Sequence, residues 1–191
     1  MGIRKFSGKT MKNSQEQRFW IENLLKDFTE ETVSSSEYFL KLGDKPNRIG
    51  YIKSGFFVLV GRRNETNVVR DFLFEEDFLG SYGSILTGDP IQYDIQARED
   101  SKILVGNINR ILESHEHILE YLKFSKYFLE YIYLQKEERE GDFLLMNIEE
   151  KLSRFHEKYE KNLQRIPKED IASYLGITPS TYRRLIRYYE K

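Results

Sequence analysis

Near the C-terminus, Ser180, Arg183, Arg184 and Arg187 carry the most specific chemical pattern in the chain. On a helix, Ser180, Arg184 and Arg187 share one side through their i+4 and i+7 spacing, with Arg183 beside them. A guanidinium so placed grips a phosphate or forks onto the paired acceptors of guanine in a major groove, and a serine hydroxyl reads more weakly. A merely solvated basic face has the same composition, so the surrounding elements must decide.

Those elements are specified by local signals. Pro167 can open a helix at its first position, with Glu169 and Asp170 in the first turn, where the helix dipole favours acids. Ile171, Ala172 and Leu175 form its inner face. Gly176 can take the left-handed conformation that ends a helix, Ile177 plugs the corner, Thr178 is an N-cap and Pro179 opens a second helix. Ala172, four residues before Gly176, lets the helices approach, and Tyr182 and Leu185 return to the same core. This is helix-turn-helix spacing. Lys168, Thr178, Ser180, Thr181, Arg183, Arg184 and Arg187 are its candidate DNA contacts.

Charge distribution agrees. The whole chain is near neutral, with 30 Lys plus Arg against 31 Asp plus Glu, yet residues 151–191 hold ten basic and five acidic side chains. That +5 tail leaves −6 on residues 1–150, an asymmetry expected when only one end meets phosphates.

Upstream, 191 residues allow one large domain or two small ones at roughly 150 residues each. Phe19, Trp20, Leu24 and Phe28 mark an amphipathic lead-in helix over 15–28. Between about Thr32 and Asn107, short apolar runs (Tyr51-Ile52, Phe56 to Val60, Val68 to Phe74, Ile91 to Ala97, Ile103 to Val105) alternate with glycine-rich turns, which suggests a barrel or sandwich. From Ile108 to Asn147 proline is absent, and Ile118, Leu122, Leu129 and Ile132 recur at helical spacing. Tyr121, Phe124, Phe128 and Tyr131 add a second ridge, so this long helix has two contacts to make, one to the barrel and one elsewhere. It is either buried on both sides within one subunit or paired along the first stripe with a second copy, and a small barrel that covers only one side favours the pair.

The chain has no cysteine, which excludes disulfides, thiol catalysis and cysteine-ligated clusters. No export signal is visible and no run of about 18 apolar residues could span a bilayer, so the expectation is a cytoplasmic protein without membrane contact.

The segment Ile171 to Thr181 resembles the helix-turn-helix of the Crp/Fnr transcription regulators. Gly43-Asp44, Ile49 to Gly55, Phe78-Leu79-Gly80 and Ala97 to Asp100 resemble that family's cyclic-nucleotide-binding-like barrel in order and spacing, and the ending at Lys191 resembles its short subgroup. The resemblance implies an α+β chain with an N-terminal helix and jelly-roll barrel over 1–107, a dimerisation helix over 108–147 and a DNA-binding helix-turn-helix over 148–191. It also implies a homodimer on a near-palindromic operator in double-stranded DNA, acting in transcription, with RNA polymerase as a further partner and no cofactor.

Departures fall at the effector pocket, whose counterpart here comprises Gly80, Ser81, Tyr82, Gly83, Ser84, Ile91 and Gln92. Members that bind cyclic AMP resemble one another in a Gly-Glu pair and a later Arg-Ser. In this chain Gly80 is followed by Ser81, and Ile91-Gln92 stands where Arg-Ser would. A phosphate in a partly closed cavity needs a cation or several donors, and Ile91 supplies neither. The expectation is a degenerate pocket that does not bind cyclic AMP, with an effector of other chemistry, held by backbone N–H groups and Gln92, left open.

Two rivals remain at this level. His115-Glu116-His117 with Glu120 could suggest a metal enzyme, but residues two apart point to different sides of a helix, so a non-enzyme without a metal is expected. The other rival is a ligand-binding or protein-interaction module of the same fold without DNA binding.

Overall fold

In strand β4 (Phe57–Arg63) and the residue before it, Phe56, Val58 and Val60 alternate with Phe57 and Leu59, and nearly all of this run is buried. Alternation sends the two sets to opposite faces, so this strand needs a partner layer on each side. The computed structural model describes residues 15–64, 66–113 and 118–189 and supplies both layers. Strands β1 (Thr29–Val33), β2 (Tyr38–Leu40), β3 (Arg48–Ser54), β5 (Thr66–Leu73), β6 (Phe78–Leu79), β7 (Asp94–Ala97) and β8 (Ser101–Asn107) join β4 in two antiparallel four-stranded sheets, ordered β1-β8-β3-β6 and β2-β7-β4-β5.

Phe57, Leu40, Ile52, Leu79, Ile91, Ile95 and Ile103 fill the space between the sheets. The expected jelly-roll barrel is thus two antiparallel sheets packed face to face, which do not close into a barrel. Strand β6 has only two residues to pair with β3, and at the β5 edge the Val69 N–H donates to Ser173 Oγ (3.0 Å) rather than to another strand. The expected strand Ile91 to Ala97 is also shorter. Ile91 exchanges backbone hydrogen bonds with the Gly43-Asp44 turn, and pairing begins at Asp94.

Helix α1 (Gln15–Leu25) and the turn after it cover the outer face of the first sheet with Leu24 and Phe28, packed against Ile49, Phe78 and Ile108. Phe28 fits because residue 106 is glycine: a Cβ there would lie 2.4 Å from the Phe28 ring. The lead-in helix thus stops before Phe28, whose N–H bonds Leu25 O in a turn.

Helix α2 (Tyr82–Thr87), absent from the sequence expectation, follows β6. The long helical region comprises α3 (Ile108–Glu113) and α4 (Ile118–Leu145), with 114–117 outside the described residues. At about 1.5 Å per residue α4 spans roughly 42 Å, and it lies against α1 and α3. Asn147 ends no helix; it caps the next one, α5 (Ile148–Tyr159), through a reciprocal box in which Asn147 Oδ1 accepts from Glu150 N–H and Glu150 Oε2 accepts from Asn147 N–H.

A 3-10 helix (Glu160–Arg165) then leads to α6 (Lys168–Leu175) and α7 (Pro179–Tyr189). These C-terminal helices dock on the outer face of the second sheet. Leu152, Phe155, Tyr159, Ile171, Ala172, Leu175 and Tyr182 share one core with Phe56, Val58, Val60, Val69, Phe72 and Phe74. Val69 and Phe72, three apart, face the same layer because a bulge shifts the β4–β5 register between Leu59 and Val60. Phe72 touches the rings of Phe155, Tyr159 and Tyr174 at centroid distances of 5.8, 5.5 and 5.5 Å. The Tyr159 hydroxyl donates to Asp71 Oδ1 (2.8 Å), and burial, reinforced by Asp71, pushes its pKa well above the usual phenol value.

Ion pairs edge this junction. Arg165 forks onto both oxygens of Glu75 (2.9 Å each) and also reaches Glu99. Its hydrogen bonds hold the Glu75 carboxyl below the ordinary carboxylate range and raise the guanidinium's own pKa. A depressed carboxyl stabilises the fold above its unfolded value of about 4.3, and that contribution is lost as pH falls through the lower folded value. Thermal unfolding followed from pH 6 to pH 3 should show an acid-dependent loss that is shallower in Arg165→Met. An identical acid dependence in both proteins would mean that the Glu75 fork contributes nothing to it.

Candidate nucleic-acid interface

The turn between α6 and α7 follows from three residues. Gly176 has φ +71°, the left-handed region where a side chain is strained, and Ile177 N–H bonds Ala172 O while Gly176 N–H bonds Ser173 O. This pair of bonds satisfies the last carbonyls of α6. Thr178 then caps α7, its Oγ1 accepting from Thr181 N–H at 3.2 Å, and Tyr182 N–H returns to Thr178 O. Pro167 precedes α6, one position earlier than expected, with its carbonyl accepting from Ile171 N–H.

On α7, Tyr182 is buried and Leu185 and Ile186 pack on the shared core. Ser180, Arg183, Arg184 and Arg187 are exposed on the side away from it, as is Lys168 at the start of α6. Arg183 Nη2 lies 3.4 Å from Glu169 Oε1, both side chains more than half exposed, so this arginine is partly neutralised across the hairpin. Among the described residues Arg184, Arg187 and Lys168 make no ion pair. The hydroxyls cluster instead: Thr178 Oγ1 is 2.9 Å from both Ser180 Oγ and Thr181 Oγ1. All the candidate DNA-contacting residues therefore lie on one two-helix unit, with Arg184 and Arg187 its arginines without an ion pair among the described residues. The chemistry available is phosphate neutralisation and bidentate donation to a base edge.

The stripe on α4 is partly exposed. Leu122 and Leu129 are 57% and 40% accessible and Ile132 is half-buried. The side chain of Ile118 lies outside the described residues, as do those of Tyr121, Phe124, Phe128 and Tyr131 and the His115-Glu116-His117 and Glu120 group. Sequence reasoning passed over Leu119, Tyr133 and the run Phe143-Leu144-Leu145 at the end of α4, all strongly exposed. Consecutive apolar residues at a helix end were the available signal.

The effector-pocket candidates come together around α2, with their polar groups largely satisfied internally. Ser81 and Ser84 are buried, and their hydroxyls bond each other at 2.9 Å; Ser84 Oγ also donates to Pro90 O. Gln92 Nε2 donates to Pro90 O and Tyr93 OH to Gly80 O. Tyr82 is half-buried and Gly83 exposed. Ile91, fully buried, belongs to the core between the sheets. Titration calorimetry with cyclic AMP should accordingly show no binding tighter than about millimolar. A micromolar isotherm with one site per subunit would show that the Ser81–Ser84 backbone holds the phosphate.

Two antiparallel four-stranded sheets with flanking helices in this arrangement are a fold the chain shares with several solved structures. Among solved structures the chain is similar to FixK2 from Bradyrhizobium japonicum, with a TM-score of 0.72 at 13% identity, covering 85% of this chain and 84% of that one. It is also similar to CLP of Xanthomonas campestris, described as a c-di-GMP-responsive global regulator (TM-score 0.68, 14% identity, 91% of each chain covered). The catabolite activator protein of Thermus thermophilus gives a TM-score of 0.56 at 17% identity over 93% of this chain and 84% of that one. At these identities the likeness is one of fold. No protein-family model and no curated protein matches the chain. Among the described residues no helix is long and apolar enough to cross a membrane, and no group of three or more His, Asp or Glu is placed to hold a metal ion.

Proposed function

We propose that this chain is a homodimeric, sequence-specific DNA-binding regulator of transcription, without enzymatic activity, whose sandwich does not respond to cyclic AMP. The observation that carries the reading is α7 itself: one face is locked into the core by Tyr182, and the opposite face offers Ser180, Arg184 and Arg187 to solvent. In this reading residues 1–107 are the sandwich and its lead-in helix, 108–147 the dimer seam and 148–191 the DNA-binding unit. Helix α7 enters the major groove, Arg184 reads a guanine with Ser180 as a weaker reader, and Lys168, Arg183 and Arg187 meet phosphates beside Thr178 and Thr181. The dimer places two such helices on a near-palindromic operator. RNA polymerase in the cytoplasm is the partner such a regulator would recruit or block.

The structural neighbours support this reading through fold, and the filled interior around Ile91 supports independence from a cyclic nucleotide. Fluorescence anisotropy of labelled duplex DNA across a salt series tests it. Three phosphate-binding cations in each of two subunits predict a slope of log affinity against log salt of roughly −5. Absence of duplex binding at low salt would leave the protein-interaction module as the better reading.

A further inference from the structure

Two forked ion pairs tie the C-terminal helices to the sandwich. Arg98, just after β7, forks onto Asp170 in the first turn of α6, with Nε to Oδ2 at 2.7 Å and Nη2 to Oδ1 at 3.0 Å. Both side chains are mostly buried, and Arg98 Nη1 also donates to Gln96 Oε1. Arg165, immediately before α6, closes the second fork onto Glu75 and Glu99 and lies over the rings of Phe56 and Phe74 at 5.6 and 5.4 Å. Glu75 is itself fixed, since its Oε1 accepts from Gly55 N–H at 3.0 Å. A planar fork on a fixed carboxylate restrains orientation as well as distance.

In a dimer joined through α4, the separation of the two α7 helices depends on the seam and on the angle at which each C-terminal unit sits on its sandwich. The first is set by α4, the second by the shared core together with these two forks, which add directional restraint at its edge. Resting on the DNA-binding reading, we propose that Arg98 and Arg165 are positioning residues that fix the half-site spacing this protein accepts. They act through Asp170, Glu75 and Glu99 on the placement of Arg184, and touch no base or phosphate themselves. The discrimination they confer is between operators of identical half-sites at different separations.

The test measures full-length wild type and Arg98→Met/Arg165→Met on duplexes carrying the selected half-sites at the preferred spacing and with one or two base pairs inserted or removed, and on a single half-site. Each inserted base pair turns one half-site by about a tenth of a helical turn. Wild type should lose at least about tenfold in affinity per step, comparable to one mismatched base pair. The double variant should bind the preferred spacing more weakly, with a profile flattened to within about threefold, while single half-site affinity and base preference stay at wild-type values. The exchange Arg98→Asp/Asp170→Arg, in a chain with Arg165 intact, should restore a steep profile that Arg98→Asp alone does not. A double variant that keeps the steep wild-type profile overturns the proposal, as does one that loses single half-site affinity as well, since that is the signature of a merely structural role. Wild type that binds no duplex in a sequence-dependent way overturns both this inference and the DNA-binding reading. Wild type that binds half-sites specifically but ignores spacing overturns this inference alone.

Discussion

Leu129→Asp combined with Ile132→Asp should yield a monomer that retains the wild-type circular dichroism spectrum and loses specific DNA affinity. Leu129 and Ile132 lie on α4 with Leu122, and the accessibility of Leu122 and Leu129 leaves apolar surface that nothing among the described residues covers. A second α4 would cover it. Two carboxylates set into each side of that seam, facing their counterparts, would cost on the order of several kcal/mol, enough to dissociate a dimer at micromolar concentration. Leu129 is 40% accessible and Ile132 half-buried in the single chain, and neither belongs to the three clusters that form the subunit's core, so the substitutions should spare that core. Sedimentation velocity checks the association state, circular dichroism the fold, and anisotropy on labelled duplex the lost DNA affinity. Wild type that sediments as a monomer at micromolar concentration would contradict it.

Arg184→Ala and Arg187→Ala should fail in different ways. Arg184 stands one turn into α7, on the side shared with Ser180 and without an ion-pair partner among the described residues, so its fork is available for guanine. Its removal should cost roughly 1–3 kcal/mol per half-site and relax preference at one symmetric pair of positions, with nonspecific binding nearly intact. Arg187→Ala should weaken every sequence alike and reduce the salt slope by about one for each phosphate no longer neutralised. Anisotropy titrations on matched and mismatched duplexes separate the two. An Arg184→Ala protein with uniformly weaker binding and unchanged base preference would make Arg184 a phosphate ligand and leave recognition to Ser180 or to DNA shape.

The C-terminal unit was legible in the sequence because its determinants are local. Gly176 ends α6, Thr178 caps α7, and Ala172 and Tyr182 meet within one hairpin, all inside eleven residues. The sandwich was legible as a class and less so in detail. Strands β2 and β6 have three and two residues, too short for a period-two pattern to register, and α2 lies in a stretch rich in glycine and serine. Ile91 read as a strand residue because apolar alternation continues to Ala97, whereas its backbone pairs with the Gly43-Asp44 turn. The forks at Arg98 and Arg165 could not be read from the sequence at all. Arg165 and Glu75 are 90 residues apart, Arg98 and Asp170 are 72 apart, and charged side chains carry no periodicity that foretells a partner across such distances.

Whether α7 reads DNA as half of a symmetric pair is decided by selecting bound fragments from a random duplex pool, then aligning and footprinting the recovered sequences. The expected product is a near-palindrome whose half-sites are centred about one helical turn, or a multiple of it, apart, roughly 34–36 Å per turn. It should carry a guanine at the symmetric position whose preference disappears with Arg184→Ala. A pool that shows no enrichment over input after repeated rounds, with wild-type protein at low salt, would contradict sequence-specific DNA binding by this chain.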